Sequence, residues 1–215
     1  MLWLFDLDGT LIDSAPGIFG GIEHALAVEG VPIPPREQLR GWVGPPLWHS
    51  FAEVFGDDPP RIQRAIERYR ERFLDVGWRE HEVFDGIEDT LDVLQARGAR
   101  CAVVTSKPQA QAERILGNQP LGERFEGIYA PDPDDHDHTK AELIARALDA
   151  CAIAPADAVM VGDRRYDMEG ACANGVRGLG VLWGFGDADE LLAAGAAALA
   201  GAPGELPGLA ETAHT

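Results

Sequence analysis

The heptapeptide FDLDGTL, residues 5–11, decides the fold, because it places two carboxylates directly after the apolar run 2–5. Apolar runs this short are typical of strands buried on both faces of a parallel sheet. Side chains two residues apart on a strand point to the same side, so Asp6 and Asp8 are predicted to face one point. Ligands bind outside the carboxyl ends of such strands. We therefore predict that the two acids act on one substrate, one as a nucleophile or metal ligand and the other as a proton carrier.

Short apolar runs alternate with helical patterns along most of the chain. This alternation predicts an α/β fold, with a doubly wound parallel sheet and a Rossmann-like core. Helical spacing of apolar residues recurs at 88–97, 141–150 and 167–173. The predicted strands span residues 2–5, 101–104, 127–130, 158–161 and 178–182.

Residues 14–82 interrupt this rhythm, because they carry only helical patterns separated by proline-rich joints. We predict an inserted helical lobe there, and an α/β core made of residues 1–13 and 83–215. The apolar stripes of the lobe, which include Trp48 and Leu74, are interpreted as helix packing. Beyond residue 190 the chain is rich in alanine, glycine and proline, and we predict a short helix at 190–194 and a frayed tail after Pro203.

The composition limits the kinds of partner. The formal net charge is −18, from 36 acidic and 18 basic residues. A field of this sign repels nucleic acids and anionic membranes, so neither is expected as a partner. No run approaches the roughly 20 apolar residues that cross a bilayer, and no signal peptide is recognised. The dispersed Cys101, Cys151 and Cys172 indicate reduced thiols and a cytoplasmic location, with Cys101 as a small buried residue.

A second pair of acids follows another predicted strand. Asp163 and Asp167 come directly after the run 158–161, again at a carboxyl end. Two acid pairs that meet at one edge of a sheet repel each other unless a cation lies between them. Because carboxylate oxygens suit Mg²⁺, we predict a magnesium site. The alternative is that Asp163 caps a loop and Asp167 is an acid in the first turn of a helix.

Hydroxyls and a lysine complete a predicted phosphate site. Thr105 and Ser106 follow the strand 101–104, and Lys140 opens the helical pattern at 141–150. A lysine in the first turn of a helix is disfavoured by the helix dipole, which makes Lys140 a candidate for binding phosphoryl oxygens. Lys107, the only other lysine of the chain, is expected to be a solvated loop residue.

These stretches together resemble the motifs of the haloacid dehalogenase superfamily, in its phosphoglycolate phosphatase-like branch. The resemblance covers about residues 1–195. The motifs that carry it are DLDGTL at 6–11, VVTSK at 103–107, Lys140, and VGDRRYD at 161–167.

The resemblance implies roles for these residues. Asp6 would attack phosphorus and form an aspartyl-phosphate, and Asp8 would protonate the leaving oxygen and later accept a proton from water. A magnesium ion would be bound by Asp6, the carbonyl of Asp8 and Asp163, with Asp167 holding a metal-bound water or orienting Asp163. The phosphoryl oxygens would be bound by Thr105 and Lys140.

The helical lobe resembles the family's cap, inserted between the first and second motifs, which would close over the site and recognise the leaving group. Arg40, Gly41 and Trp42, in the loop 40–46, are the candidate substrate contacts. A solvated Arg40 and a Trp42 that only anchors the loop are the alternatives. Alternating Asp and His residues at 132–138 suggest either a second metal site or an acidic solvated loop.

The main hypothesis is a Mg²⁺-dependent phosphatase for a small phosphorylated metabolite, acting as a monomer or homodimer. Phosphoglycolate and 5′-nucleotides are the candidate substrates, and Ala141 and Glu142 after Lys140 resemble a nucleotidase-like subset. The first alternative is a phosphomutase that uses the same acids. A dehalogenase is a weaker alternative, because Asp8 supplies an acid that halide displacement does not require. A non-enzymatic phospho-accepting module is the last alternative.

Overall fold

The structure of the protein is a computed structural model that describes residues 1–44, 47–132 and 138–211. The chain forms two compact units. One comprises Met1–Ile12 together with Val83–Thr215, and the other comprises Asp13–Glu82. In the described residues, no helix combines the length and the apolar character needed to cross a membrane.

The strands are β1 (Leu2–Phe5), β2 (Ile12–Asp13), β3 (Glu82–Val83), β4 (Arg100–Val104), β5 (Ile128–Tyr129), β6 (Ala158–Gly162), β7 (Arg177–Val181) and β8 (Ala198–Ala200). The helices are α1 (Ala15–Val28), α2 (Arg36–Arg40), α3 (Leu47–Phe55), α4 (Pro59–Asp75), α5 (Ile87–Ala96), α6 (Gln109–Leu116), α7 (Lys140–Cys151), α8 (Arg165–Ala173), α9 (Ala188–Ala193) and α10 (Leu206–Glu211).

Within the described residues of the larger unit, six parallel strands form one sheet in the order β5-β4-β1-β6-β7-β8. The strand order reverses at β1, which pairs with β4 on one side and β6 on the other. The α/β fold class predicted from the sequence is therefore confirmed. The reversal matters for function, because it places the ends of β1, β4 and β6 side by side at one edge of the sheet.

The side chains of β1 are buried on both faces of the sheet. Leu2 and Leu4 belong to a core cluster that includes residues of α7 and α8. On the other face, the ring of Phe5 stacks with that of Trp3 and meets Phe125 edge to face. A strand that is apolar on both faces is typical of the centre of a parallel sheet. Cys101, on the neighbouring strand, is buried as predicted.

The C-terminal part differs from the prediction. Ala198–Ala200 forms a sixth strand that the sequence did not indicate, because alanines carry little strand propensity. The prediction of a frayed tail after Pro203 is also wrong. Leu206 is completely buried, α10 packs against α5, and Arg97 Nη1 donates a hydrogen bond to the Pro207 carbonyl at 3.4 Å.

The smaller unit contains α1 to α4. Helix α4 begins at a proline, and Asp58 caps it by accepting a hydrogen bond from Arg61 N at 3.1 Å. Helices α1 and α4 pack closely, because Gly21 on α1 lies under the ring of Tyr69 on α4. Two members of the predicted apolar stripes are not in this packing, since Trp48 and Leu74 are 39% and 48% exposed.

Candidate active site

The turn after β1 holds the first two acids at the carboxyl edge of the sheet. Asp6 N donates to the Val161 carbonyl at 2.9 Å, which continues the pairing of β1 with β6. Three residues later the chain turns at Gly9, whose φ is +84°. A side chain at Gly9 would also collide with Asp163, because a Cβ atom there would lie 2.3 Å from Asp163 Oδ2. Glycine is therefore required at this turn for its conformation and for its size.

Asp6 is paired with Lys140. The Lys140 ammonium donates to Asp6 Oδ1 at 2.9 Å and to the Val104 carbonyl at 3.1 Å, and it forms an ion pair with Asp167 Oδ1 at 2.8 Å. The ammonium thus makes two hydrogen bonds and has a second carboxylate oxygen close by. Lys140 is the first residue of α7, where the side chain of Thr139 caps the helix. A lysine in this position is tolerated because the two carboxylates face it.

Asp163 follows β6 and is fully buried. Its Oδ1 accepts a hydrogen bond from Thr10 Oγ1 at 3.1 Å, and its Oδ2 accepts one from Phe185 N at 2.8 Å. Asp167 is the third residue of α8, and its Oδ2 accepts a hydrogen bond from Arg164 N at 3.1 Å. Asp167 is thus an acid in the first turn of a helix, as the alternative interpretation held, and it also faces Asp6 and Lys140.

Among the described residues, Asp6, Asp163 and Asp167 form one buried group whose carboxylate oxygens lie within 4.8 Å of one another. Asp8, whose backbone carbonyl the resemblance assigns to the metal, contributes no carboxylate oxygen to this group. The members of this group differ in exposure. The Asp6 side chain is 12% exposed, whereas that of Asp167 is 1% exposed. Of the three, Asp6 is therefore the carboxylate that a substrate can reach.

Burial and mutual repulsion perturb the protonation of this group. Burial raises the pKa of Asp6 from 3.8 to about 6, although the nearby Lys140 charge opposes the shift. Burial, together with the charges of Asp6 and Asp167, raises the pKa of Asp163 well above its ordinary value. Although burial opposes the charged form of Lys140, the Asp167 and Asp6 carboxylates raise its pKa above the ordinary value. The raised carboxyl pKa values mean that one ammonium does not balance three buried carboxylates.

The residues present fit a magnesium ion. Three carboxylates and one ammonium leave two negative charges, which a divalent cation would neutralise. Mg²⁺ binds oxygen ligands, and one carboxylate oxygen from each of the three residues lies within 4.8 Å of the others. The group contains no cysteine or histidine among the described residues, which favours Mg²⁺ over Zn²⁺. Asp6, Asp163 and Asp167 are the residues that would hold the ion.

Gly162 makes room for Asp167. A Cβ atom at Gly162 would lie 2.2 Å from Asp167 Cγ, which is far inside van der Waals contact. We therefore expect Gly162→Ala to displace Asp167 and to destabilise the fold by about 3 kcal/mol in urea denaturation. The matched control is Gly208→Ala, because a Cβ atom at Gly208 meets nothing within 4 Å. Equal stabilities of the two variants would contradict this account.

Asp8 is paired with Lys107, the other lysine of the chain. Lys107 Nζ lies 2.9 Å from Asp8 Oδ2, and Lys107 is 8% exposed. The expectation that Lys107 is a solvated loop residue is therefore wrong. The reason is that the loop after β4 turns back, with Lys107 N donating to Thr105 Oγ1 at 3.1 Å. Thr105 is buried in this loop and Ser106 beside it is half-buried.

The loop after β7 is a part of the site that sequence reasoning missed. Trp183 Nε1 donates to the Thr10 carbonyl at 3.0 Å, and Phe185 N donates to Asp163. Gly184 permits this approach, because a Cβ atom there would lie 2.4 Å from the Gly9 carbonyl oxygen. The signal in the sequence is the pair of glycines that flanks Phe185, which predicts a close backbone approach.

The candidate substrate contacts in the smaller unit differ among themselves. Arg40 and Gly41 are exposed. Trp42 is only 3% exposed, its ring meets Phe51 edge to face at 5.8 Å, and its Nε1 donates to Glu53 at 3.2 Å. This packing favours the alternative in which Trp42 anchors the loop. The predicted Asp/His loop at 132–138 falls mostly on residues 133–137, which lie outside the described residues.

The model of the haloacid dehalogenase-like hydrolase family matches residues 3–181. The chain belongs to this family. The resemblance inferred from the motifs is therefore confirmed. The four motif regions carry the acids and lysines described above, at the carboxyl edge of the sheet.

Family relatives with curated names differ in the activity that their names state. The chain is 42% identical over 190 residues to a 5′-nucleotidase from Pseudomonas aeruginosa, which covers 88% of this chain and 86% of the relative. It is 30% identical over 195 residues to a phosphoglycolate phosphatase from Pseudomonas putida, with 86% and 70% covered. It is 39% identical over 188 residues to tyrosine-protein kinase PtkA from Mycobacterium tuberculosis. That match covers 87% of this chain but only 64% of the relative.

A family member of known structure shares the whole architecture. A "predicted phosphatase" from Clostridium acetobutylicum superposes with a TM-score of 0.90 at 37% sequence identity, and the match covers 98% of both chains. The described fold is therefore that of the family.

Proposed function

We propose that the protein is a Mg²⁺-dependent phosphatase that hydrolyses a small phosphomonoester through an aspartyl-phosphate on Asp6. The observation that supports this most directly is the Asp6 carboxylate, which is partly exposed and lies against the Lys140 ammonium and two further buried carboxylates. The enzyme class follows from the family and its phosphatase-named relatives, so the chain is a phosphoric monoester hydrolase.

In the first step, an oxygen of Asp6 attacks phosphorus and the ester bond between phosphorus and the leaving oxygen breaks. Asp8 gives its proton to that oxygen, so the leaving group departs as an alcohol. The Lys140 ammonium and the Thr105 hydroxyl are proposed to bind the phosphoryl oxygens, with Ser106 as a further donor, and to stabilise charge in the transition state. A bound Mg²⁺ would neutralise the carboxylates and polarise the phosphoryl group.

In the second step, Asp8 accepts a proton from a water molecule whose oxygen attacks phosphorus. The bond between phosphorus and Asp6 breaks, which releases inorganic phosphate and restores the Asp6 carboxylate. Asp163 and Asp167 are proposed to hold the ion, with Asp167 also fixing Lys140. In this proposal the helical unit, residues 14–82, recognises the leaving group, with Arg40 and Gly41 as its candidate contacts.

Nucleoside 5′-monophosphates are the first substrates that we propose, supported by the similarity to the 5′-nucleotidase across 86% of its length. Phosphoglycolate comes second, since the relatives with that name are 30% identical to this chain. Both are small anions, and the site would offset the strongly negative field of the protein locally through Lys140 and the metal ion.

A phosphate-release screen tests the proposed function. The purified protein is incubated with Mg²⁺ and a panel of nucleoside 5′-monophosphates, phosphoglycolate and sugar phosphates, and inorganic phosphate is measured. We expect repeated turnover of at least one monoester. Conversion of a sugar phosphate to its isomer without free phosphate would favour the phosphomutase alternative. Phosphotyrosine formed from ATP without phosphate release would favour the activity for which the PtkA relative is named.

We expect Mg²⁺ to stabilise the protein more at pH 8 than at pH 5. The pKa of Asp6 is raised from 3.8 to about 6, so the metal-free protein loses stability as the pH rises through this window. At pH 5 protons compete with the metal for Asp6, whereas at pH 8 the carboxylate is free to bind it. Thermal unfolding with and without Mg²⁺ at both pH values measures the difference. Asp163→Asn is the control, and an equal Mg²⁺ effect at the two pH values would contradict the prediction.

A further inference from the structure

Lys107 is the other lysine of the chain, and its side chain is as deeply buried as that of Lys140. Its ammonium lies 2.9 Å from Asp8 Oδ2, and the two side chains are 5% and 15% exposed. A lysine is seldom buried to this extent unless it is paired. The pair therefore needs an explanation beyond surface charge balance.

Two features of the loop after β4 also restrain the backbone of Lys107. Its N–H donates to Thr105 Oγ1, and the next residue, Pro108, stands at the start of α6. A following proline limits the backbone of Lys107 to extended conformations. The backbone of Lys107 is thus restrained at the point from which its side chain reaches Asp8.

The chemistry of the contact distinguishes the two oxygens of Asp8. An ammonium has only protons to donate, so Oδ2, the oxygen 2.9 Å from Lys107 Nζ, cannot direct an acidic proton towards it. The other oxygen, Oδ1, is buried and has no hydrogen-bond partner among the residues that the structure describes. A buried carboxylate oxygen in this state calls for a proton or a ligand.

We infer that Lys107 is a positioning residue, which holds Asp8 by Oδ2 so that Oδ1 carries the proton to the leaving group. This inference rests on the proposed function. When Asp6 forms its bond to phosphorus and the ester bond breaks, the proton moves from Asp8 Oδ1 to the leaving oxygen. In the hydrolytic step the same oxygen takes a proton from water. In this inference Lys107 acts through Asp8 and takes no direct part in making or breaking bonds.

The test uses two substrates that differ in their need for a proton. An alkyl monoester, such as a nucleoside 5′-monophosphate, leaves as an alcohol and needs the acid, whereas p-nitrophenyl phosphate leaves as a stabilised phenolate. We expect Lys107→Met to lower kcat/KM about 100-fold for the alkyl ester and no more than about 5-fold for p-nitrophenyl phosphate. The ratio of the two values does not depend on the folded fraction of a preparation.

Further variants make the test specific to Asp8. In an Asp8→Asn background, Lys107→Met should change the ratio of kcat/KM for the two substrates by less than about 3-fold. The reason is that the Asp8 carboxyl, which Lys107 would position, is absent from this protein. Lys107→Arg retains a cation and should recover part of the loss. Lys107→Gln replaces the Met variant if that protein does not fold.

The matched control is Arg100→Met. Arg100 lies at the other end of the same strand, β4, and is also a cation in an ion pair, at 2.7 Å from Glu126. The loss of Arg100 should leave the ratio of kcat/KM for the two substrates unchanged. Equal losses for both substrates in Lys107→Met would overturn the inference while the proposed function stands. A wild-type protein that releases no phosphate from any monoester would overturn both.

Discussion

Asp6→Asn is expected to lower the rate of phosphate release by at least about 10⁴-fold. The amide has nearly the shape of the carboxylate but lacks the nucleophilic oxygen anion, so the first step cannot begin. Asp163 and Asp167 cannot replace it, because they are 0% and 1% exposed. Steady-state assays with the best substrate of the screen measure the loss.

The control for this variant is Asp13→Asn, which makes the same chemical change seven residues further along. Asp13 Oδ1 accepts a hydrogen bond from Ala15 N at 3.1 Å, and an asparagine oxygen can do the same. This control should retain activity close to that of the wild type. Because Asp6 carries a raised pKa, its replacement should also stabilise the metal-free protein at pH 8. More than about a hundredth of wild-type activity in Asp6→Asn would contradict the assignment.

Lys140→Met is expected to have the second-largest effect, lowering kcat/KM by at least about 10³-fold. It also removes the cation that two buried carboxylates share, and unpaired buried charges of this kind cost about 3–5 kcal/mol of stability. The variant should therefore unfold at lower urea concentration in the absence of metal. Mg²⁺ should restore part of the stability, because it supplies positive charge to the same carboxylates.

Arg146→Met is the matched control for Lys140→Met. Arg146 lies on the same helix, α7, and donates to the Ala130 carbonyl at 3.4 Å. Its loss should leave kcat/KM within about 3-fold of the wild type, because surface cations contribute little. A Lys140→Met protein with wild-type kcat/KM would show that the ammonium has no part in the reaction.

The sequence indicated the sheet well because its central strands are short, apolar and followed by acids. Strands β1 and β6 lie where the pattern placed them, and the structure brings Asp6, Asp163 and Lys140 together at their ends. Strand β8 carried no such signal, because Ala198–Ala200 lies within a run of small residues that suits several conformations.

The pairing of Lys107 with Asp8 could not be predicted from the sequence. Spacing along a strand says which side a residue faces, but a long flexible side chain can end in solvent or against a carboxylate. The prediction that Asp6 and Asp8 serve one point was likewise incomplete, since each contacts its own lysine. Trp42 presents the same difficulty, because the sequence around a tryptophan does not show whether its ring packs inside the protein or contacts a substrate.

The position of both lysines has a practical consequence for labelling. Their side chains are 5% and 4% exposed, and the chain contains no others. Succinimidyl esters and aldehyde cross-linkers, which acylate or condense with lysine amines, would therefore find no accessible side-chain amine on the folded protein. Slow acylation of Lys107 or Lys140, followed by mass spectrometry, would report how often the carboxyl edge of the sheet opens to solvent.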